Sequence, residues 1–514
     1  MILTRNPNAW RRWHGCLIAA GLSLVLLAPC ASAEPMRVVS LSDAPRNHQS
    51  GAGADLFLNH LEKSYVLSLG HVNISDPQAD LKVLEGCDVI LFHPQGPIAD
   101  GGMARVRASL ESGPPLVALR GAAQAFSDGS GFDLKVLGAR MSGQYENGLT
   151  MQARPMGAAN KHPVLDGLNR IRSRHHLHRF EGFADDVEPL MIGSTPGSSQ
   201  QTVAWTRQQG GRRIFHTSLG GVHDYENDSV KRLIANSLFW AAGVEPQRKS
   251  PPEMVRWERK PGDLTVPLRS RKQAAGGGWS ESIGEVTLPV DVSAIIVADM
   301  TDAHWCPSAA TRLDAMAAKV NKLVSIARDA GMLIVHVPAD TSEFYQDHPA
   351  RRRIEQIAGL TVERSYPVFP LRSNEVDLPP MPIANSDCPG GGASYAAWTR
   401  QHPAIAIHDT DVISGQGQQL YSYLASNGID TLFYVGVHAN TTLIERSYGM
   451  RQMSVWDMDC VLIRDLTDIM FDAGAPPQMP HETALQGVVE HLEKHLVSTI
   501  TSQQLAAALA KIKP

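Results

Sequence analysis

Two hydrophobic patterns alternate along the chain. The runs MRVVSLS (36–42), CDVILFHP (87–94), PPLVALRGAA (114–123) and GRRIFHTSLG (211–220) are short, rich in β-branched and aliphatic residues, and end in polar or turn residues, the signature of buried strands. Between and after them lie DLFLNHLEKSYV, ARVRASLESG and DSVKRLIANSLFWAAG, in which apolar residues recur every three or four positions as on one face of a helix. The same alternation restarts at SAIIVADM (293–300). There, a helical stretch from Ala309 to Ala330 places Leu313, Met316, Val320, Leu323 and Ala327 on one face, and GMLIVHVP, AIAIHDTD, DTLFYVG and CVLIRDL read as further strands. Strand and helix in turn imply an α/β protein of two domains, each a mostly parallel sheet sandwiched by helices. The segment between the two series, 247–280, carries Pro251, Pro252, Pro261, Pro267 and Gly276 to Gly278 with a local basic excess, and is read as a solvated linker. It separates a domain at 34–246 from one at 281–514, and no internal repeat is visible.

The amino terminus changes this picture. Arg11 and Arg12 precede an apolar run from about Cys16 to Pro29 that closes in ASAEP. The run is too short for a spanning helix, and the alanines at 31 and 33 suit cleavage after Ala33, so residues 1–33 read as an export signal. The expected location is periplasmic or extracellular, without stable membrane insertion. Losing Arg5, Arg11 and Arg12 moves the formal net charge from −5 to −8, which offers nothing to nucleic acid. Four cysteines, at 87, 306, 388 and 460, would remain, too few for a disulfide scaffold.

In an open α/β sheet, polar residues at the carboxyl ends of strands gather at one edge. In the first domain these are His48, Arg120, His216 and His223, each of which also has a structural reading. No nucleophile elbow is present, because RGAAQAF has alanine at 122 and 123. HPVLDGL (162–168), TVAWTRQQGGRRIFHTSLGG (202–221) and the closing helix through LFWAAG resemble the ThuA-like (trehalose-utilisation-like) relatives of the class I glutamine amidotransferase fold over about residues 36–243. The resemblance implies a flavodoxin-like sheet. Members usually continue TSLG with a histidine, where this chain has Gly221, and fused relatives commonly read RTASHAF, so Arg120 is kept while Gln124 replaces histidine.

In the second domain, Asp299, His336, His408 and the turn from Gly436 to Thr442 all fall at predicted carboxyl ends and converge on one pocket. A carboxylate, a cation and a nucleophile so placed attack a carbonyl carbon, with backbone N–H groups at a helix start receiving the oxyanion. IIVADMTDAHWC (295–306), HVPADTSEFYQDHPARRR (336–353), YAAWTRQHPAIAIHDTDVIS (395–414), GVHANTTLIERSYGMRQM (436–453) and VLIRDLTD (461–468) resemble, in order, the isochorismatase-like cysteine hydrolases, a Rossmann-type fold. The catalytic trio of that family is aspartate, lysine and cysteine. Asp299 keeps the aspartate; alignment of the motifs puts His408 on the lysine and Thr442 on the cysteine, and Thr441 on a methionine. The resemblance also implies a non-proline cis bond near His438 and Ala439. His438, Asn440, Arg446 and Arg451 remain as pocket residues.

Two of the three catalytic positions being changed, the expected function is that of a catalytically silent or small-molecule-binding hydrolase relative. A divergent hydrolase acting on a C–N or C–O bond of a small carbonyl compound through Thr442 or water, and activity belonging to the first domain alone, stay open. A small-molecule ligand is the expected partner, a homo-oligomer is possible, and no cofactor is expected. His304, Cys306 and Cys388 would suit a borderline metal, but their spacing matches no standard zinc ribbon, and a Cys306–Cys388 disulfide fits them as well.

Overall fold

The computed structural model describes residues 34 to 512 apart from 44–51, 77, 99, 127–130, 147, 250–255, 357–380, 382–393 and 475–477; the export signal, His48 and Cys388 lie outside the described residues. The strands of the first half are β1 (Met36–Ser42), β2 (Leu67–Asn73), β3 (Val89–Phe92), β4 (Leu116–Ala118), β5 (Arg140–Tyr145), β6 (Met151–Pro155), β7 (Ile171–Ser173), β8 (Leu177–Glu181), β9 (Val187–Ser194), β10 (Gln201–Gln209) and β11 (Arg212–Thr217). Nine of them form one sheet in the order β2-β1-β3-β4-β11-β10-β9-β6-β7, and β5 pairs with β8 separately. The first five of this order run parallel, and β10, β9, β6 and β7 extend the sheet antiparallel. The helix Asp228–Ala242 is capped at its start by the Asn227 side chain, 2.9 Å from the Ser229 N–H, and ends at Gly243 in the left-handed region. It buries Leu233, Ile234 and Leu238 against the sheet.

The second half contributes β12 (Asp263–Gln273), β13 (Trp279–Pro289), β14 (Ser293–Ala298), β15 (Leu333–Val337), β16 (Val412–Ile413), β17 (Thr431–Val437), β18 (Asp459–Asp468) and β19 (Ser498–Ile500). Their order is β13-β12-β19-β18-β17-β14-β15-β16; β14 to β19 run parallel to one another, and β12 joins β19 antiparallel. Every residue of β14, β15 and β17 is buried, as expected where helices cover both faces of a parallel sheet. The helix Pro307–Asp329 buries the predicted face, with Leu313, Met316, Val320, Leu323 and Ala327 in the core. The chain leaves β14 toward β15 and β16 on one side and returns through β17 to β18 and β19 on the other. The carboxyl ends of β14 and β17 therefore flank a crevice where the strand order reverses.

The predicted linker is shorter than its composition suggests. Residues 263–289 form a long antiparallel hairpin, β12 against β13, that adds to the second sheet beside β19. Its turn takes Gly277 and Gly278 at positive φ, so the glycines that read as linker make a hairpin turn. On the other side, Arg248 bridges to Tyr65, and the Lys249 N–H donates to the Ser64 carbonyl at 3.0 Å. The residues from Met36 onward form one compact unit. The halves meet through polar contacts: Arg232 Nη2 lies 2.7 Å from Asp347 Oδ1, the Asp347 N–H donates to Asp228 Oδ2 at 3.0 Å, and the Ser229 hydroxyl donates to the Glu343 carbonyl at 2.9 Å. No described helix is long and apolar enough to cross a membrane.

Candidate functional site

A cavity of about 350 Å³ opens at the β14/β17 switch point, lined by Asp299, His304, Trp398, His438, Thr442 and Arg446 among others. Asp299 follows β14 with φ 52, and two further non-glycine residues at the same rim, Ala339 and Asp340, have φ 26 and 58. Among the described residues only Asp457 shares this conformation. Left-handed backbone is uncommon outside glycine, and its clustering marks a place where the chain is held out of its preferred state. Gly436 makes the crevice narrow: a Cβ there would lie 1.9 Å from the Ala298 carbonyl oxygen, so β17 approaches β14 more closely than any side chain permits.

Asp299 is 6% exposed. Its Oδ1 accepts from the Tyr448 hydroxyl at 2.7 Å and the Ala339 N–H at 3.1 Å, and its Oδ2 faces Arg446 Nε at 3.8 Å. Burial pushes the carboxyl up to about 6 from its ordinary 3.8, against the attraction of Arg446 and the bonds from Tyr448 and Ala339. Arg446 Nη1 also contacts both oxygens of Asp340 at 3.2 Å. The cation beside the aspartate is thus Arg446.

Thr442 lies at the head of the short helix Thr442–Glu445, where the cysteine of the resembled family would stand. Its hydroxyl donates to the Val437 carbonyl and accepts from the His438 N–H, both at 2.6 Å. The cis peptide joins Val437 to His438, one residue before the position the resemblance implies. The His438 ring is buried and pulled down to about 3, chiefly by burial and then by neighbouring His304, 5.2 Å away between ring centroids. His304 Nδ1 accepts from the Cys306 N–H at 3.0 Å, which leaves Nε2 to carry the proton of the neutral ring. Asn440 does not line the cavity. It exchanges bonds with the backbone of Met470, donating at 2.9 Å and accepting at 3.1 Å, and so holds a lining residue in place. Arg451 pairs with Glu445 at 3.3 Å.

His408 does not join them. AIAIHDTD is not a strand; residues 404–411 form turns before the two-residue β16, and His408 is exposed. The backbone here is captured by side chains instead of a ladder. Asp411 accepts from the His408 N–H at 2.8 Å, and Arg353 donates to the carbonyls of Asp409 and Asp411 at 2.6 and 2.7 Å. Asp411 also takes Arg328 at 2.7 Å and His336 at 3.1 Å. Burial opposes its ionisation, but these two partners outweigh it and hold the carboxyl well below the usual range. His336 is accordingly a buried partner of Asp411 and Gln401, not a pocket residue.

In the first half, His216 is fully buried between the rings of Trp205 and Phe180, at 4.5 and 5.6 Å, and burial pulls it down to about 3. The β5–β8 ribbon carrying Phe180 covers this strand end, so His216 is core. Arg120 donates to the Ser218 carbonyl at 3.0 Å, and burial lowers it to about 10. The exposed His223 donates its N–H to His175 Nε2 at 3.4 Å. A Cβ at Gly221 would fall 2.2 Å from that same His175 nitrogen. The His175 ring thus fills the space in front of the position where ThuA-like members usually carry histidine.

Cys306 is disulfide-bonded, which removes the thiolate that a metal would need. Among the described residues no group of three His, Cys, Asp or Glu is placed to hold a metal ion. Tyr448, Trp398 and Asp340 carry no signal of their own in the sequence, although they lie inside the motifs SYGMRQM, YAAWTR and HVPADTSEF.

The family described as "ThuA: Trehalose utilisation" matches residues 37–241. No curated protein matches the chain. Among solved structures, a thua-like protein from Bacteroides uniformis is 14% identical with a TM-score of 0.33, over 41% of this chain and 93% of that one. A cysteine hydrolase from Pseudomonas syringae is 13% identical with a TM-score of 0.29, over 43% and 94%. An isochorismatase family protein from Burkholderia thailandensis is 15% identical with a TM-score of 0.27, over 43% and 97%. At this level of similarity none of the three says anything about chemistry.

Proposed function

We propose that the chain is an exported fusion of a ThuA-like half with an isochorismatase-like half, and that the cavity of the second half binds a small polar, carbonyl-bearing molecule without covalent attack by the protein. The observation that carries this reading is the state of the Thr442 hydroxyl. Its proton is given to the Val437 carbonyl, its oxygen is held by the His438 N–H, and among the described residues no base is in contact with it. A hydroxyl needs a base to become a nucleophile; this one secures the turn. The remaining groups suit recognition: a carboxyl with Arg446 beside it, the rings of Trp398, His304 and His438, and a buried floor.

A thermal-shift screen of small metabolites against the intact protein tests this, because a molecule that binds only the native state raises its apparent stability. At least one carbonyl compound should stabilise the protein and lose its effect with Arg446→Ala, while amides, ureido compounds and vinyl ethers are not turned over. Turnover abolished by Thr442→Ala in a folded protein would overturn the reading.

One observation favours a second reading. The Asp299 carboxyl, pushed up to about 6, is suited to take a proton from water near neutral pH. In that case Asp299→Asn abolishes turnover and Thr442→Ala does not.

A further inference from the structure

The cavity is walled on its outer side by a strap, residues 394–402, of which Ser394 and Trp398 face the space. The strap makes little regular structure of its own, a single bridge between Gln401 and Thr301. On its inner side, Trp398 Nε1 donates to the Ala339 carbonyl at 2.7 Å. The buried Asp302 accepts from the Thr399 N–H at 2.9 Å, the Thr399 hydroxyl at 2.7 Å and the Arg400 N–H at 3.3 Å. The second half also holds it through Tyr345, whose hydroxyl accepts from the Gln401 N–H at 2.9 Å, and the first half reaches it as well. The Thr150 hydroxyl donates to the Ala397 carbonyl, Arg172 Nη1 donates to the Trp398 carbonyl at 3.4 Å, and Glu226 pairs with Arg400. The Arg172 guanidinium also sits 5.9 Å from the centroid of the Trp398 ring.

Arg172 is in an unusual place for a buried cation. It lies on β7, the last strand of the nine-stranded sheet, an edge that proteins ordinarily leave to solvent or cover deliberately. It is nevertheless only 7% exposed, and the groups that cover it include the strap. Burying a guanidinium is costly unless its donors and its face are used; here Nη1 and the face are used on Trp398, while Nε has no hydrogen-bond partner among the described residues.

We propose that the first half acts as a clamp on the cavity of the second, with Arg172 as the positioning residue that sets Trp398 and so fixes the outer wall of the binding space. The two halves then form a single composite site, although every lining residue among the described residues belongs to the second half. The inference concerns the strap's position and stands whether or not the ligand class proposed above is correct, because its test needs no ligand.

The test uses the full chain labelled with 5-fluorotryptophan, with the Trp398 signal among the nine tryptophans assigned by Trp398→Phe, and amide hydrogen exchange on the same variants. Arg172→Ala should move and broaden the Trp398 signal while leaving that of Trp205, in the first-half core, unchanged. Protection of the Thr399 and Arg400 amides should fall by about tenfold, the factor that corresponds to about 1.4 kcal/mol. Arg172→Lys keeps the charge but not the planar face, and should restore the signal only part of the way. Thr150→Val, which removes one anchor and keeps the shape, should loosen the same amides and serves if Arg172→Ala does not fold. Folded Arg172→Ala or Thr150→Val with an unmoved Trp398 signal and unchanged exchange at 397–402 would overturn the proposal.

Discussion

Replacing Asp299 by asparagine should stabilise the protein relative to the parent in a way that depends on pH, and the structure gives the size. The carboxyl has an ordinary value of 3.8 and is pushed up to about 6 in the folded state by burial. At about 1.4 kcal/mol per unit, holding it ionised in the fold costs about 3 kcal/mol. The sign follows from which state ionises first. Below about pH 4 the group is protonated in both states and costs nothing by this route. Between about pH 4 and 6 the unfolded chain gives up its proton while the fold retains it, so stability falls as pH rises. Above about pH 7 the full cost is present and constant. Asparagine has no proton to lose, and its Oδ1 still accepts from Tyr448 and Ala339. Its amide facing Arg446 adds an offset that is the same at every pH. Urea denaturation of both proteins from pH 4 to 8 isolates the effect, because other titrations cancel in the difference between them. That difference should climb by about 2 kcal/mol from pH 4 to 6 and level off near about pH 7. A flat difference, or one that falls with pH because Arg446 outweighs burial, would refute the reasoning.

Thr442→Val should lower stability by about 1–3 kcal/mol, since it strands the His438 N–H and the Val437 carbonyl, while Thr442→Ser retains most of it in the same denaturation assay. His408→Ala should change stability by no more than about 0.5 kcal/mol and leave ligand-induced thermal shifts intact, because the residue is exposed and does not line the cavity. A protease site engineered between Lys249 and Arg256 should yield two pieces that co-elute on size exclusion, held by contacts such as Arg232 to Asp347; separation of the pieces would count against a shared interface.

Much of this was readable in the residues, and the reasons differ by element. The continuous apolar runs at 293–298 and 431–437 and the face of the 307–329 helix follow directly from burial on both sides of a parallel sheet. Asp299, His438, Thr442 and Arg446 line one cavity; Asp299 is legible because it sits just past a strand, and the other three because they lie in the motif that follows β17. His408 was misplaced because AIAIHDTD has the hydrophobicity of a strand, and nothing local reveals that Asp411, Arg353 and Asn321 take its backbone bonds. The hairpin at 263–289 was hidden because a half-exposed strand with prolines and glycines has the composition of a linker. Trp398 gave no signal as a wall residue, because its position depends on Arg172, 226 residues earlier in the chain.

The glycine at 221 has a consequence for substitution in the first half. With the His175 ring 2.2 Å from where its Cβ would lie, a side chain at 221 requires that ring to move. Gly221→His alone would collide with a residue that now owns the space, whereas Gly221→His together with His175→Gly would exchange one imidazole for another from a different point of the backbone. An imidazole near Arg120 and Asp224 therefore comes from position 175 and not from position 221.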